Sequence, residues 1–506
     1  MRLLSWPRYR GAIVLLALVI TATTALPAAA HRVGRCTVDT TADRCERWGV
    51  IYNDSTHAPP RRGDEFATAV ATNDRSVFSV VRSVGFDVNS PYSSTGDWLV
   101  LAHDLDTGAP QWEARRRSRH YDNPLAIAVS PNGRQLYVTG SSYDDYSIVA
   151  TDAQMVTVAY DAATGQELWS RIWDGRPDAT DVGKTITVTP NGRTVIVGGV
   201  TTTAERDLDY VTVAYDAAKG REMWAKTATG LRPGGSDVLN GIAMSPRGDL
   251  VYVTGESAGV EQYDADYLTI AYDVRNGRVA WQQRFAGIDE GGSDRGRSVA
   301  VSPDGSQVYV TGDSYGGRRD GTTQYDYATV AYDARSGAQR WVARYGGPMA
   351  GFNYPVAVAA SADRVVVTGQ SRGATAEDVR DYGTVAYDTA TGDEVWRQRY
   401  APPNSDEIAL DLAMSPDGTA VFVTGSSTPA VRYTALSEAA TVAYRTDDGR
   451  ALWTSRLDVG AGNAALGRRL AATPDGGVAL VGQTTYSADP LKPQSQNIYD
   501  ALIVRY

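Results

Sequence analysis

The sequence predicts an all-β protein: an eight-bladed β-propeller of four-stranded antiparallel blades, closed by an N-terminal strand that completes the last blade. Three observations lead there. The stretch TVAYDAATGQELW (157–169) recurs in recognisable form at 212–224, 269–281, 329–341, 384–396 and 441–453. The tryptophans that end these copies, with Trp112 before them, fall 55 to 60 residues apart. The two ends of the chain carry complementary fragments of one further unit. Self-similarity at this period, with four short strands in each repeat, is the pattern of propeller blades.

The first element in chain order is residues 1–30, read as a secretory signal peptide. Arg2, Arg8 and Arg10 precede an apolar run from Ala12 to Ile20, and small residues follow up to Ala30. The apolar run is short for a membrane span, so cleavage is expected to leave a secreted chain without one; a retained N-terminal anchor is the alternative. Residues 31–45 form an N-terminal segment. It holds both cysteines, Cys36 and Cys45, and in an oxidising compartment a local disulfide is expected between them. Residues 46–506 make the propeller.

Within it, the unit at 294–345 shows the logic. VAVSPDG (299–305) is a strand entering a turn, and QVYVTGDS (307–314) returns from it. YATVAYD (327–333) is the third strand, ARSG (334–337) the turn, and QRWVARY (339–345) the fourth strand. β-Branched and aromatic residues dominate the strands, and Pro, Asp and Gly mark the turns. The tryptophan of the fourth strand is expected to cover the gap between neighbouring blades. The blade-docking set is Trp48, Trp112, Trp169, Trp224, Trp281, Trp341, Trp396 and Trp453. Repeat arrays depend on such nearest-neighbour contacts.

The eighth unit is split. RRLAATPDG (468–476), VALVGQTT (478–485) and DALIVRY (500–506) match strands one to three. CERWGVIYND (45–54), with Trp48, matches the fourth. Joining them removes two exposed sheet edges.

These motifs carry a resemblance. AYDAATGQELW (159–169) is similar to the tryptophan-docking motif of the eight-bladed pyrroloquinoline quinone (PQQ) dehydrogenases, and the whole unit resembles secreted repeat propellers of the SBBP type. The resemblance implies the fold. It does not imply the quinone chemistry, because the dehydrogenases also use an adjacent Cys-Cys disulfide, a calcium site of Glu, Asn and Asp, and a catalytic Asp. No motif here matches these, so bound PQQ is not expected.

Composition narrows the partners. The chain has 49 Lys and Arg against 59 Asp and Glu, a net charge of −10. That disfavours nucleic acid and anionic membrane surfaces. The four histidines, His31, His57, His103 and His120, are too few and too N-terminal for a repeated metal site. No G-x-S-x-G, HExxH, P-loop or EF-hand pattern occurs, so no catalytic residue is assigned.

Candidate binding residues come from the long, variable connections, which gather on one face of a propeller. Eight residues before each SPDG serine position stand Asp64, Asp122, Asp181, Asp237, Asp294, Asn353, Glu407 and Ala465. Seven residues before each AYD aspartate position stand Asp97, Gln154, Asp209, Asp266, Asp326, Asp381, Glu438 and Asp500. Tyrosine often follows, as at Tyr210, Tyr267, Tyr327 and Tyr382. Acids in such register are expected to ring the loop face. They would staple loop backbone, or hold Ca²⁺ or a basic ligand; Ca²⁺ is the one cofactor they suit. The function expected is an exported, monomeric, non-catalytic binding or scaffold protein for a cell-surface or extracellular protein or glycan. The alternative is a quinone-dependent dehydrogenase or an acid-catalysed polysaccharide-active enzyme.

Overall fold

The structure, a computed structural model, describes residues 47–506 apart from 53–61, 88–89, 117–120, 144–152, 177–178, 203–206, 233, 262–263, 289–291, 320, 374–379, 430–435, 458, 460–462 and 488–496. The expected signal segment, the segment 31–45 and both cysteines lie outside the described residues.

Two turns build each blade. In the unit at 294–345, the Ser302 hydroxyl accepts the Gln307 N–H at 2.9 Å and donates to Asp304 at 2.6 Å, while Gly305 takes φ +71°. Asp333 Oδ1 accepts N–H groups from Arg335 and Ser336, which closes the hairpin between the third and outer strands. Side-chain oxygens thus satisfy backbone donors that the turn would otherwise leave bare.

The outcome is eight four-stranded antiparallel sheets. Blade 1 spans residues 62–116, blade 2 121–173, blade 3 181–228, blade 4 238–285, blade 5 294–345, blade 6 354–400 and blade 7 405–457. Each uses four consecutive strands. Blade 8 takes Ala464–Ala472, Val478–Ser487 and Asn497–Arg505, and its outer strand is Trp48–Tyr52 from the other end of the chain. There Trp48 lies opposite Arg505 and Tyr52 opposite Ala501. Innermost strands share a bulge at one position, for instance between Gly296 and Ser298 or between Gly183 and Thr185. A bulge kinks the strand and re-aims its side chains.

The core sits between blades. One cluster joins Tyr252, Tyr267 and Trp281 of blade 4 to Val308, Val330 and Tyr332 of blade 5. Trp281 lies between the rings of Tyr252 and Tyr332, at 5.7 and 5.8 Å, and its indole N–H donates to the Ala334 carbonyl at 2.9 Å. The same indole bond to the next blade recurs from Trp48 to Leu105, Trp112 to Ala162, Trp169 to Ala217, Trp224 to Val274, Trp341 to Thr389 and Trp396 to Thr446. Trp453 packs between Phe422 and Tyr506. A large flat ring with one polar edge suits this place, since it covers apolar surface and still pairs its N–H. At the seam, buried Arg505 donates to Asp475 at 2.5 Å and to the Leu105 carbonyl at 3.0 Å.

Candidate functional site

Both acid registers lie where second strands meet third strands and where one blade passes to the next. The first register starts the innermost strands, and it is buried. Asp181 accepts the Gly175 N–H at 2.9 Å. Asp237 accepts those of Gly230 and Ala258 at 2.6 and 2.9 Å. Asp294 accepts the Tyr315 N–H, and Asn353 that of Arg372. Glu407 accepts the Ser427 hydroxyl at 2.7 Å, and Asp122 lies 3.8 Å from Arg116. Ala465 occupies the place in blade 8, also buried.

Blade 1 requires a correction. Pairing sets Glu65, not Asp64, opposite Ser83, which in turn faces Asp97. In blade 5 the matching ladder is Asp294, Ser314, Asp326. The first turn of blade 1 is shorter: Asn73 N–H bonds the Ser76 carbonyl, whereas Ser302 reaches to Gln307. Asn73 holds the place of Ser302, so counting back from Thr72 lands one residue early. Asp64 itself accepts the Tyr499 N–H from blade 8, and burial raises its pKa.

The second register pairs with arginines. Asp97 meets Arg115 at 2.9 Å, Asp266 meets Arg284 at 2.8 Å, and Asp326 lies 4.0 Å from Arg344. Asp381 meets Arg399, and Glu438 meets Arg456 at 2.5 Å. Each of these arginines stands three residues after its blade's tryptophan. Sequence reasoning did not single out that register, although its spacing was available. Blade 4 shows the complete rung. Arg284 bonds Asp266, the Ser257 hydroxyl and the carbonyls of Ser257 and Ala258, while Asp237 ties the same Ala258 from the innermost strand. In blade 5 Arg344 reaches Ser314, and in blade 7 Arg456 reaches Ser427. Blade 3 has Thr227 at the arginine position; blade 2 has Ile172 there and Gln154 at the acid position. Asp500 lies opposite Thr484 in blade 8.

Burial dominates the electrostatics. It raises Asp294 to about 7, against the opposing pull of Ser314, Arg344 and the Tyr315 N–H. Burial likewise raises Asp237, Asp266 and Glu407. Asp209 is raised to about 6 by burial and by the charges of Asp237 and Asp207. Removing a carboxylate from water disfavours its charged form.

Most of the acids expected to ring the face are thus internal rungs of the blades, because their oxygens are needed by loop N–H groups and arginines. Among the described residues, no three of His, Cys, Asp and Glu converge to hold a metal ion. Tyr210, Tyr267, Tyr327 and Tyr382 are buried as well, donating to the carbonyls of Leu268, Ala328, Gly383 and Ala440 in the next blade. They offer no ring to a ligand.

The face exposes something else. Leu231, Val260 and Ile288 are 58, 73 and 63% exposed. They stand in consecutive loops tied together: Leu231 N–H to the Ala258 carbonyl, Arg232 to the Glu261 carbonyl, and Ala265 bridged to Ser293. Beyond them, between blades 5 and 6, opens a cleft of about 690 Å³. Phe352 (49% exposed), Tyr354, Gln370, Arg372, Arg380 and Thr322 line it. Tyr325 and Tyr315 extend its aromatic wall.

Comparison with known proteins follows the fold. The family model described as outer membrane protein assembly factor BamB matches residues 96–319, 211–381 and 330–495 in overlapping stretches. Among solved structures, Chaetomium thermophilum Sqt1, bound to the N-terminus of the ribosomal protein L10, is similar at 14% identity and TM-score 0.52. The match covers 88% of this chain and 96% of that one. Quinohemoprotein alcohol dehydrogenase ADHIIG from Pseudomonas putida HK5 is similar at 13% identity and TM-score 0.50, over 90% of this chain and 78% of that one. BamB from Moraxella catarrhalis follows at 12% identity and TM-score 0.46, over 86 and 96%. At these identities the likeness is one of fold. No curated protein matches the chain.

Proposed function

The chain belongs to the family of the outer membrane protein assembly factor BamB, and from that premise we propose that it is an exported, non-catalytic scaffold that docks a protein partner on its loop face. The observation that carries this reading is the set of exposed aliphatics Leu231, Val260 and Ile288, one on each of three consecutive loops that are hydrogen-bonded or bridged to one another. Isolated exposed aliphatics are ordinary on a protein surface, whereas a connected set marks an interaction site. The rungs beneath support the same reading. Asp237 accepts backbone N–H groups from Gly230 and Ala258, beside Leu231 and Val260, so little ordering of these loops is left to be done on binding. Export rests on the pattern of residues 1–30.

The test is site-specific photocrosslinking from position 260 in cells that express the full chain. A discrete protein adduct, lost when Leu231 and Ile288 are both changed to Glu at unchanged melting temperature, supports docking. Absence of any adduct, or an adduct indifferent to those changes, refutes it.

A further inference from the structure

We infer that the cleft between blades 5 and 6 is a subsite for a carboxylate-bearing pyranose, the kind of ring an acidic glycan presents. The inference goes beyond protein docking and does not rest on those exposed aliphatics.

Three observations converge. The first is the wall. Phe352 and Tyr354 are parallel to within 3°, with centroids 6.0 Å apart, and Tyr325 stacks on Phe352 at 5.8 Å. Half-exposed Phe352 thus presents a flat apolar face whose position is fixed from behind. Flat rings with hydrogen-bonding groups at their margin suit the C–H face and hydroxyls of a pyranose; Tyr354, Gln370 and Thr322 supply those groups.

The second is charge. The chain carries an excess of acids, yet among the described residues the cleft lining holds Arg372 and Arg380 and no acid. Arg380 is engaged by Asp406. Among the described residues, Arg372 makes no ion pair. Its stem lies along Gly351, where a Cβ would stand 3.4 Å from its Cγ and Cδ. A guanidinium that no described acid engages, beside an aromatic platform, fits a planar carboxylate, which it can bind through two parallel N–H bonds.

The third separates a sugar from an extended peptide. A peptide captured by strand addition needs an unpaired strand edge. The rim here is already paired: Tyr325 N–H bonds the Gly351 carbonyl at 3.0 Å, and Asn353 N–H bonds the Tyr325 carbonyl at 2.9 Å. Recognition is left to ring faces and side chains.

The experiment is calorimetric titration of the full chain with trigalacturonate, with maltotriose as the neutral sugar and hexaglutamate as the acidic peptide. Saturable binding of trigalacturonate is expected, with maltotriose at least about ten-fold weaker, the size of one lost charge-assisted contact. Arg372→Ala and Phe352→Ala should each cost a similar factor at unchanged melting temperature, and the Leu231→Glu, Ile288→Glu double variant should bind normally. No saturable binding, equal binding of maltotriose, tighter binding of hexaglutamate, or indifference to both cleft variants would each overturn the inference. Absence of any protein adduct at position 260, with glycan binding intact, would count against the docking reading alone.

Discussion

Replacing Asp294 by Asn should stabilise the protein at alkaline pH, and the effect should vanish in acid. Asp294 is buried at the start of the innermost strand of blade 5, and its folded pKa of about 7 stands well above the ordinary 3.8. A raised carboxylate makes the folded state bind the proton more tightly than the unfolded one. Its ionisation therefore opposes folding above pH 7, and the penalty is relieved as pH falls from 7 towards 4. Three pKa units correspond to about 4 kcal/mol. For a cooperative unit of this size that is roughly 4 °C in Tm. Asparagine keeps the acceptor for the Tyr315 N–H and removes the charge. Blade 6 already shows the arrangement: Asn353 accepts from Arg372 N–H and donates to the Tyr325 carbonyl at 3.1 Å. The corresponding carbonyl for Asp294 is that of Ala265 in blade 4, whose bridge to Ser293 matches that of Tyr325 to Phe352. The assay is the difference in Tm between Asp294→Asn and the parent from pH 8 to pH 4. The difference matters more than either curve, because buried His103, held at about 4, loses stability on acidification through the same range. The variant should melt higher at pH 8, and its advantage should shrink to about 1.5 kcal/mol by pH 5 and disappear near pH 4. A variant that melts lower at pH 8, or a difference that ignores pH, would refute the reasoning.

Arg284→Ala should cost on the order of 2–4 kcal/mol, because it strands the buried Asp266 carboxylate and two carbonyls; denaturant unfolding measures it, and adding Asp266→Asn should recover part of the loss. Gly337→Ala and Gly476→Ala form a matched pair. Both glycines have positive φ, but a Cβ at Gly337 would lie 2.7 Å from the Trp281 ring, while at Gly476 nothing lies within 4 Å. The first should lose clearly more than the roughly 1–2 kcal/mol of left-handed strain that the second shows; equal losses would mean that the tryptophan shifts freely.

The propeller was legible because its blades are held by local signals that recur. SPDG and DAATG turns, and the tryptophan that follows them, each act within a few residues, so their spacing alone exposes the repeat. The rung arginines were less visible. A single Arg115 or Arg399 on an outer strand reads as a surface charge, and only pairing with Asp97 or Asp381 shows it turned inward. The acids were half legible: their register allowed the reading that they staple loop backbone, as Asp181, Asp237 and Asp294 do, but not that most of them lie buried. Asp64 stands one residue early because Asn73, not Thr72, holds the place of the turn serine, which only the backbone pairing shows. Leu231, Val260 and Phe352 sit in loops of unequal length, with no register to announce them.

The Leu105 carbonyl accepts two donors, the Trp48 indole at 2.9 Å and the Arg505 guanidinium at 3.0 Å. One comes from the outer strand of blade 8 and the other from the strand beside it, and the two are separated by nearly the whole chain. A single oxygen of blade 1 thereby works as a coincidence detector. It is satisfied fully only when the earliest and the latest strands have both arrived. Partial rings, with either strand absent, leave Leu105 half-bonded and the neighbouring apolar surface of blades 1 and 8 wet. Long-range contacts of this kind form late and slowly. The seam therefore times the molecule: seven blades can be built from neighbours, but the ring reports completion at one atom.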